Sequence, residues 1–395
     1  MNEYTSLGHV RKELAEKYFD RSDVIDGLLL GLLTRQHVLL IGAPGTAKTQ
    51  LARDLCKRIQ GASFFHWLLT RYTLPEEIYG PIDLELLAKG KYLRVTTGKF
   101  PKAEVAFLDE VFKSGSSIRN TLLTALNERR FFNDGEETLP LRLCIGASNE
   151  LPDDEESAAF CDRFLLRYIV EYLDASSARK LLEVPTAALE DAAARVLTTW
   201  GEVDAASQEA AKIPVPAGVL DRIIQIRENL RREGIQISDR RLRLFPALVR
   251  AACYLEAVEA AAVAGSVQPI YEVHEDHLGV LVHAAWESPE QIPTVRKIIR
   301  TYVSSALQEI YDARDNAREV WKTFLEERTK RPVNDPNKAV EIRSKIETYV
   351  ARIDAQATSL QRPKHITEAL AIKRELDEYC RLATQIAVSK RGGLR

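Results

Sequence analysis

The sequence has few cysteines and no two of them at close spacing. The five cysteines among 395 residues are Cys56, Cys144, Cys161, Cys253 and Cys380. Their odd number, their wide spacing and the lack of a CxxC pair argue against a disulfide framework and against a zinc site. The same pattern favours free thiols in a reducing compartment, so we expect a cytoplasmic protein.

Long apolar runs and an excess of basic residues are also missing. The longest apolar stretches, such as 28–33, are far too short to cross a bilayer, and the first residues lack the apolar segment of a signal peptide. We therefore expect no membrane insertion. Lysine and arginine number 55 against 57 acidic residues, a formal net charge of −2. This balance gives no support to wholesale nucleic-acid binding.

Hydrophobic periodicity divides the chain into three regions. Residues 1–185 alternate helical patterns with short apolar runs, which predicts an α/β domain with a parallel sheet covered on both faces. Residues 186–287 predict several helices and no strands. Residues 288–395 predict long amphipathic helices with short breaks, hence a C-terminal helical hairpin or bundle. The predicted strands are 37–41, 63–67, 105–108, 141–147 and 164–172.

The strongest local signal is the run GAPGTAKT at 42–49, between a predicted strand and the helical run 50–59. This context suits a P-loop, in which backbone N–H groups and a helix N-terminus surround phosphates. Lys48 would contact the β and γ phosphates, and the Thr49 hydroxyl would bind Mg²⁺. Ala47 replaces a usual glycine, and we expect a negative φ there, which tolerates a methyl group. The predicted nucleotide-binding residues are Gly42, Ala43, Pro44, Gly45, Thr46, Ala47, Lys48, Thr49, Gln50 and Asp109.

Two carboxylates, Asp109 and Glu110, follow the apolar run 105–108. An isolated acidic pair would indicate no more than a solvated turn. At the carboxyl end of a buried strand, however, the pair stands where ligands bind in open α/β sheets. We predict that Asp109 joins Thr49 in holding Mg²⁺ and that Glu110 polarises the attacking water.

Three further polar residues are candidates for the same chemistry. Asn149 ends another apolar run and can orient water, although asparagine is also common in turns. Arg163 can supply charge to a neighbouring subunit's phosphates or form a surface salt bridge with Asp162. Arg240 begins a helix with Ser238 as its N-cap candidate, and it either reaches the nucleotide or starts a solvated basic helix.

Together these motifs resemble the MoxR family of AAA+ ATPases, and its RavA-type branch in particular. The resemblance extends over roughly residues 10–290, and several motifs follow one another with family-like spacing. The segment DRSDVI at 20–25 also looks like the adenine-side segment of the family. The motifs are GAPGTAKT, TRYTLPEEIYGP at 70–81, FLDEVFKSGSSIRNTLLTALNERRF at 107–131, ASNELP at 147–152 and CDRFLLR at 161–167.

The resemblance implies roles that spacing alone does not show. It implies an AAA+ core followed by an α-helical lid, with an insertion near the ring pore at 72–102 and a β-hairpin at 130–140. Asn149 would be sensor 1 and Arg163 the arginine finger. Arg240 would be sensor 2, with Arg241 as the alternative.

The resemblance also implies cofactors and partners. These are ATP and Mg²⁺, a homo-oligomeric ring that is hexameric, a protein client that is remodelled, and a partner with a von Willebrand A domain. The break near 329–337 is too short for the extra domain that RavA-type proteins carry, which puts any partner of that domain in doubt.

Two other functions stay open. One is a motor stimulated by nucleic acid, which overall charge disfavours. A local basic cluster in the insertion favours it, made of Lys89, Lys91, Arg94, Lys99 and Lys102. The other is a scaffold that holds nucleotide without turnover, against which the presence of Glu110 and Arg163 argues.

Overall fold

The computed structural model describes residues 6–151, 159–184, 195–264, 269–330, 336–358, 360 and 363–388. The chain divides into two compact units, residues 1–296 and 297–395. The predicted boundary at 185–186, the end of the ASNELP motif at Pro152 and most of the break near 329–337 lie outside the described residues. The predicted three-region division therefore stays a prediction.

The first unit is built on a five-stranded parallel sheet. Its strands are β1 (His37–Ile41), β3 (Phe64–Leu68), β4 (Val105–Asp109), β7 (Leu143–Ser148) and β8 (Phe164–Ile169), in the order β3-β4-β7-β1-β8. All neighbouring strands run parallel. Every residue of β1 and β7 is buried, as expected for a sheet covered on both faces. The predicted α/β fold class is confirmed.

The direction in which the chain crosses the sheet reverses once. It leaves β1 toward β3 on one side and then returns through β4 and β7 to β8, on the other side of β1. Because crossovers between parallel strands are right-handed, this reversal puts helices on both faces. The connections that follow the neighbouring strands β1 and β7 thus run in opposite directions across the sheet. Crevices that bind ligands form at such points.

Ten α-helices with assigned bounds accompany the sheet in the described part of the first unit. Close packing requires glycine in one of them, because a Cβ on Gly27 would lie 2.3 Å from the ring of Tyr168 in β8. These helices are α1 (Ser6–Lys17), α2 (Ser22–Thr34), α3 (Lys48–Lys57), α4 (Pro75–Tyr79), α5 (Leu84–Leu87), α6 (Ser116–Glu128), α7 (Ala175–Glu183), α8 (Trp200–Lys212), α9 (Ala217–Arg232) and α10 (Asp239–Ala264).

Two short strand pairs lie apart from the main sheet. β5 (Arg130–Phe132) and β6 (Glu136–Thr138) form an antiparallel hairpin, as the family resemblance implied for 130–140. β2 (Ile59–Gln60) pairs in parallel with β9 (Thr198–Thr199), so the expectation that strands end near residue 185 is wrong. A strand of two residues is too short to carry an alternating pattern, and its second residue also caps α8 by accepting from the Glu202 N–H.

The second unit is a helical bundle. Its long helices are α12 (Ser305–Lys330), α13 (Pro336–Ala357) and α14 (Pro363–Val388), and the helix α11 (Ile292–Arg300) precedes them at the boundary between the units. Apolar side chains from all three long helices share one core, in which Ala317, Ile346 and Leu376 are fully buried. This agrees with the predicted helical bundle. Within the described ranges, no helix combines the length and the apolar character needed to cross a membrane.

Candidate nucleotide-binding site

The loop between β1 and α3 curls around the ammonium group of Lys48. The Lys48 Nζ atom donates to the Gly42 carbonyl at 2.6 Å and to the Ala43 carbonyl at 2.9 Å. Two glycines permit this path. A Cβ on Gly42 would lie 2.1 Å from the Val170 carbonyl oxygen, and Gly45 has a φ of 79°. The loop therefore wraps around the ammonium group of Lys48, the group that a phosphate would contact in a P-loop.

Ala47 contradicts the sequence-based expectation of a negative φ. It has φ 62° and ψ 19° and forms the N-cap of α3 in the left-handed conformation. The chain must turn sharply here, so that Ala47 presents its carbonyl to the Leu51 N–H at 3.0 Å while the loop continues toward the cleft. A left-handed conformation costs an L-residue about 1–2 kcal/mol. The usual glycine avoids this strain, whereas alanine retains it.

The end of β4 is strained in the same way. Glu110 has a φ of 52°, and its N–H donates to Asp109 Oδ1 at 3.1 Å. A left-handed non-glycine residue costs free energy and persists where the surrounding structure requires it, often at functional sites. Here it turns the two neighbouring carboxylates out of the strand and into the cleft.

The two carboxylate oxygens of Glu110 have different surroundings. Its Oε1 atom accepts from Asn149 Nδ2 at 2.8 Å and lies 3.2 Å from Lys113 Nζ. Its Oε2 atom is buried and has no hydrogen-bond partner among the described residues. A buried acceptor without a partner costs about 1–3 kcal/mol. This oxygen is thus available to a hydrogen-bond donor such as water.

These elements enclose a cleft of about 490 Å³. The structure brings together most of the predicted site, whereas Gly42 and Ala43 contribute through the carbonyls that hold Lys48. The lining residues are Pro44, Gly45, Thr46, Ala47, Lys48, Thr49, Gln50, Arg53, Asp54, Lys57, Asp109, Glu110 and Asn149.

The donor set in the cleft fits a nucleotide with a divalent cation. Thr49 and Asp109 both line it, and a hydroxyl with a carboxylate is the ligand chemistry that Mg²⁺ accepts beside phosphate oxygens. Burial lowers the pKa of Lys48, although the charges of Asp109 and Glu110 oppose this shift. A phosphate group would favour the charged form of Lys48 further.

Three cleft residues on α3 were not predicted. Arg53, Asp54 and Lys57 share the helix face that carries Gln50, so a helical projection of α3 would have indicated them. Asp54 is fully buried. It accepts from the Tyr18 hydroxyl at 2.6 Å and lies 2.7 Å from Lys17 Nζ at the end of α1, which ties α1 to the helix that follows the P-loop.

Arg163 and Arg240 are absent from the lining of the cleft in their own chain. Arg163 lies between helical residues 159–161 and β8, with its Nη1 atom 3.7 Å from Asp162 Oδ2. Arg240 donates to the Asn127 side chain near the end of α6. Burial lowers the pKa of Arg163, and the positive charge of Arg240 lowers it further. The positive charges of the two predicted arginines therefore act on each other.

Arg241 has a different position from Arg240. Its side chain is buried, and its Nη2 atom donates to the carbonyls of Ala284 at 2.6 Å and Trp286 at 3.2 Å. Burial lowers the pKa of Arg241 to about 10. An arginine enclosed in this way is poorly placed to reach a nucleotide, which favours Arg240 as the candidate sensor 2.

Comparison with known proteins assigns the chain to a family. Residues 5–199 match the family model described as the MoxR domain in the MoxR-vWA-beta-propeller ternary systems. An uncharacterised protein of Methanocaldococcus jannaschii is 35% identical over 77% of this chain and 78% of its own length. A second one is 30% identical over 94% of this chain and 92% of its own. The chain belongs to the MoxR type of AAA+ proteins.

Two further matches agree with a MoxR-type AAA+ fold. The protein named Chaperone MoxR1 from Mycobacterium tuberculosis is 28% identical over 41% of this chain and 43% of its own length. The crystal structure of a candidate ATPase from Cytophaga hutchinsonii superposes with a TM-score of 0.58, covering 76% of this chain and 94% of that one at 20% identity. The resemblance to the RavA-type branch stays a prediction.

Proposed function

We propose that this MoxR-type chain binds ATP with Mg²⁺, hydrolyses the ATP and uses the turnover to remodel a protein client. One observation carries the proposal. The P-loop lysine, the strand-end carboxylates and the neighbouring asparagine meet around one cleft, where one oxygen of Glu110 has no hydrogen-bond partner among the described residues. A site that only held nucleotide would have no use for a carboxylate presented in this way.

Each residue has a defined task in this proposal. The backbone N–H groups of the loop and Lys48 bind the phosphates. The phosphate oxygens then take the place of the two carbonyls as partners of the Lys48 ammonium group. Thr49 and Asp109 would hold Mg²⁺, which would supply positive charge beside the phosphate oxygens. Glu110 receives a proton from the attacking water through Oε2, while Asn149 fixes Oε1 by donating to it.

The active site is proposed to be shared between neighbouring subunits of a hexameric ring. Neither Arg163 nor Arg240 lines the cleft of its own chain, and the Arg163 Nε atom has no hydrogen-bond partner in the described chain. The positive charge of Arg240 acts on Arg163 and lowers its pKa, and an anion from outside would stabilise both cations. We therefore assign both arginines to the nucleotide of the next subunit, which changes the expectation that Arg240 serves its own.

The family description, rather than the cleft, supports the proposed client and partner. The matching model is named for systems with a von Willebrand A component, and a relative is named a chaperone. We propose a protein client, a von Willebrand A-domain partner and action in the cytoplasm. The proposed cytoplasmic location agrees with five cysteines that are present as thiols, four of them buried.

The basic cluster in the insertion supports the rival function, a nucleic-acid motor, less than its sequence suggested. Arg94 donates to the Gly80 carbonyl at 2.9 Å, and Lys99 donates to the Glu77 carbonyl at 3.1 Å. Lys102 pairs with Glu137 at 3.0 Å. Side chains held by their own protein are less available to a phosphate backbone. Stimulation of ATPase activity by DNA, with a steep dependence on salt, would favour the rival.

Mixing of inactive variants tests hydrolysis and the shared site together. Lys48→Ala is expected to abolish tight ATP binding, whereas Glu110→Gln keeps binding and loses turnover. Arg163→Ala is expected to lose about 10³-fold or more of the turnover, as for other arginine fingers supplied in trans. Arg163→Ala and Glu110→Gln chains mixed one to one should recover activity, because about a quarter of randomly formed interfaces then contain both intact groups.

A matched pair controls for that recovery. Lys48→Ala and Glu110→Gln remove groups from the same cleft, so no mixed interface between these two variants is complete. Their mixture should stay inactive. If the Arg163→Ala mixture also stays inactive although the chains are shown to assemble together, each site is self-contained and the ring proposal is wrong. Near wild-type turnover by Glu110→Gln would remove Glu110 as the base.

A further inference from the structure

A lysine beside the catalytic carboxylate has no role in the reaction described above. Lys113 ends the 3₁₀ turn Val111–Lys113 that directly follows Glu110. Its Nζ atom lies 3.2 Å from Glu110 Oε1, the same oxygen that accepts from Asn149 Nδ2 at 2.8 Å. Two donors thus hold one carboxylate oxygen, and the other has no hydrogen-bond partner among the described residues.

The turn that carries Lys113 is fixed by its own hydrogen bonds. The Lys113 N–H donates to the Glu110 carbonyl at 2.9 Å. The Ser114 hydroxyl donates to the Val111 carbonyl at 2.9 Å, and Arg119 Nη1 donates to the Ser114 carbonyl at 3.0 Å. The backbone of Lys113 is therefore held against that of Glu110, so the flexible lysine side chain needs to cover only a short distance.

A contribution to stability is not the reason for this ion pair. The Lys113 side chain is 64% exposed, and exposed pairs contribute about 0–1 kcal/mol. The Glu110 side chain, by contrast, is only 15% exposed. An amide donor alone leaves the plane of the carboxylate free to tilt by rotation about its terminal bond, which would turn Oε2 away from the attacking water. A cation at Oε1 disfavours that rotation, because the charged pair would have to separate.

We propose that Lys113 is a positioning residue for hydrolysis: together with Asn149 it holds Glu110 Oε1, so that Oε2 alone faces the attacking water. The inference rests on the proposed ATPase activity and adds a residue to it. Lys113 acts only through Glu110 and is placed neither on the nucleotide nor on Mg²⁺. Its loss should therefore lower the rate of turnover and leave nucleotide binding unchanged.

The experiment compares Lys113→Met and Lys113→Arg with the wild-type full-length chain. Turnover is measured over a range of ATP concentrations, and nucleotide binding is measured separately by equilibrium titration with a fluorescent ATP analogue. Lys113→Met should lower kcat about tenfold, a part of what a positioned general base contributes, with KM and binding within about twofold. Lys113→Arg should recover most of kcat, because its guanidinium can still donate to Oε1.

A second lysine provides the matched control. Lys345 pairs with Glu341 at 2.7 Å on α13 and is exposed, so Lys345→Met removes a similar ion pair far along the chain and should change neither kcat nor KM. An unchanged kcat in Lys113→Met would overturn the inference. A raised kcat would overturn it too, because the ion pair with Lys113 would then slow the reaction of Glu110. A fall in nucleotide binding that matches the fall in kcat would also overturn it. A wild-type chain that binds ATP without hydrolysing it would refute the proposed function and this inference with it.

Discussion

Replacement of Ala47 by glycine should stabilise the protein. The left-handed conformation of Ala47 costs about 1–2 kcal/mol that glycine does not incur. Glycine also lowers the free energy of unfolding by about 0.4–1 kcal/mol, because it makes the unfolded chain more flexible, and this offsets part of the gain. The Ala47 side chain is exposed, so its removal leaves no cavity. We therefore expect Ala47→Gly to raise the free energy of unfolding of the first unit by about 0.5–1 kcal/mol.

The assay is urea-induced unfolding followed by tryptophan fluorescence. Three of the four tryptophans, Trp67, Trp200 and Trp286, belong to the first unit, so the signal reports mainly on it. The two units need not unfold together, and the transition of the first unit should be fitted separately. An upward shift of the midpoint at constant slope would show that stability itself has changed.

The same substitution in a regular helix provides the control. Ala205 is exposed within α8, where glycine costs about 1 kcal/mol relative to alanine. Ala205→Gly should therefore destabilise the protein while Ala47→Gly stabilises it. If both variants are destabilised to a similar extent, residue 47 does not adopt a positive φ and the explanation of the loop is wrong.

Three further perturbations test the fold around the site. Arg241→Met should lower the free energy of unfolding by about 2–4 kcal/mol, because it leaves buried carbonyls without their donor. Arg240→Met should instead lower ATP turnover and leave the midpoint of urea unfolding almost unchanged. Gly27→Ala should cost about 1–3 kcal/mol because its methyl group would overlap a ring, and Gly8→Ala, which has ordinary space at 3.6 Å, should not. Burial lowers the pKa of His37 from 6.5 to about 3, so between pH 7 and pH 5 the unfolded chain binds a proton at His37 that the folded chain does not. The free energy of unfolding should therefore fall by about 2 kcal/mol over this range. Urea titrations at both pH values should show a smaller fall for His37→Gln.

The strands and the cleft could be predicted from sequence because each carries a local signal. Buried parallel strands consist of short apolar runs, and β1 was predicted with its observed bounds, His37–Ile41. Polar residues directly after such runs must meet at one edge of the sheet. This is why Lys48, Asp109 and Asn149 could be placed together before any distance was known.

The remaining features depend on tertiary geometry that leaves no pattern in sequence. The left-handed conformation of Ala47 follows from the turn that the loop must make, whereas alanine itself prefers the opposite sign of φ. The two-residue strand β9 owes its pairing to a distant segment, β2. Adjacent arginines such as Arg240 and Arg241 look equivalent in the sequence, and only their burial separates them.

The position of Arg163 connects these structural details to the proposed chemistry. Asp162 lies between two arginines, 3.7 Å from Arg163 and 3.9 Å from the buried Arg241 at the start of α10. Arg241 is fixed by the carbonyls of 284 and 286, so it holds Asp162, and Asp162 in turn limits where Arg163 can point. Arg241 also lies 4.0 Å from Glu287 Oε1, so a second carboxylate balances its charge and Asp162 stays available to Arg163. The Arg163 Nε atom nevertheless has no hydrogen-bond partner among the described residues. We propose that a phosphate group of a neighbouring subunit adds to the contact with Asp162, so that Arg163 serves a shared site rather than a surface salt bridge alone.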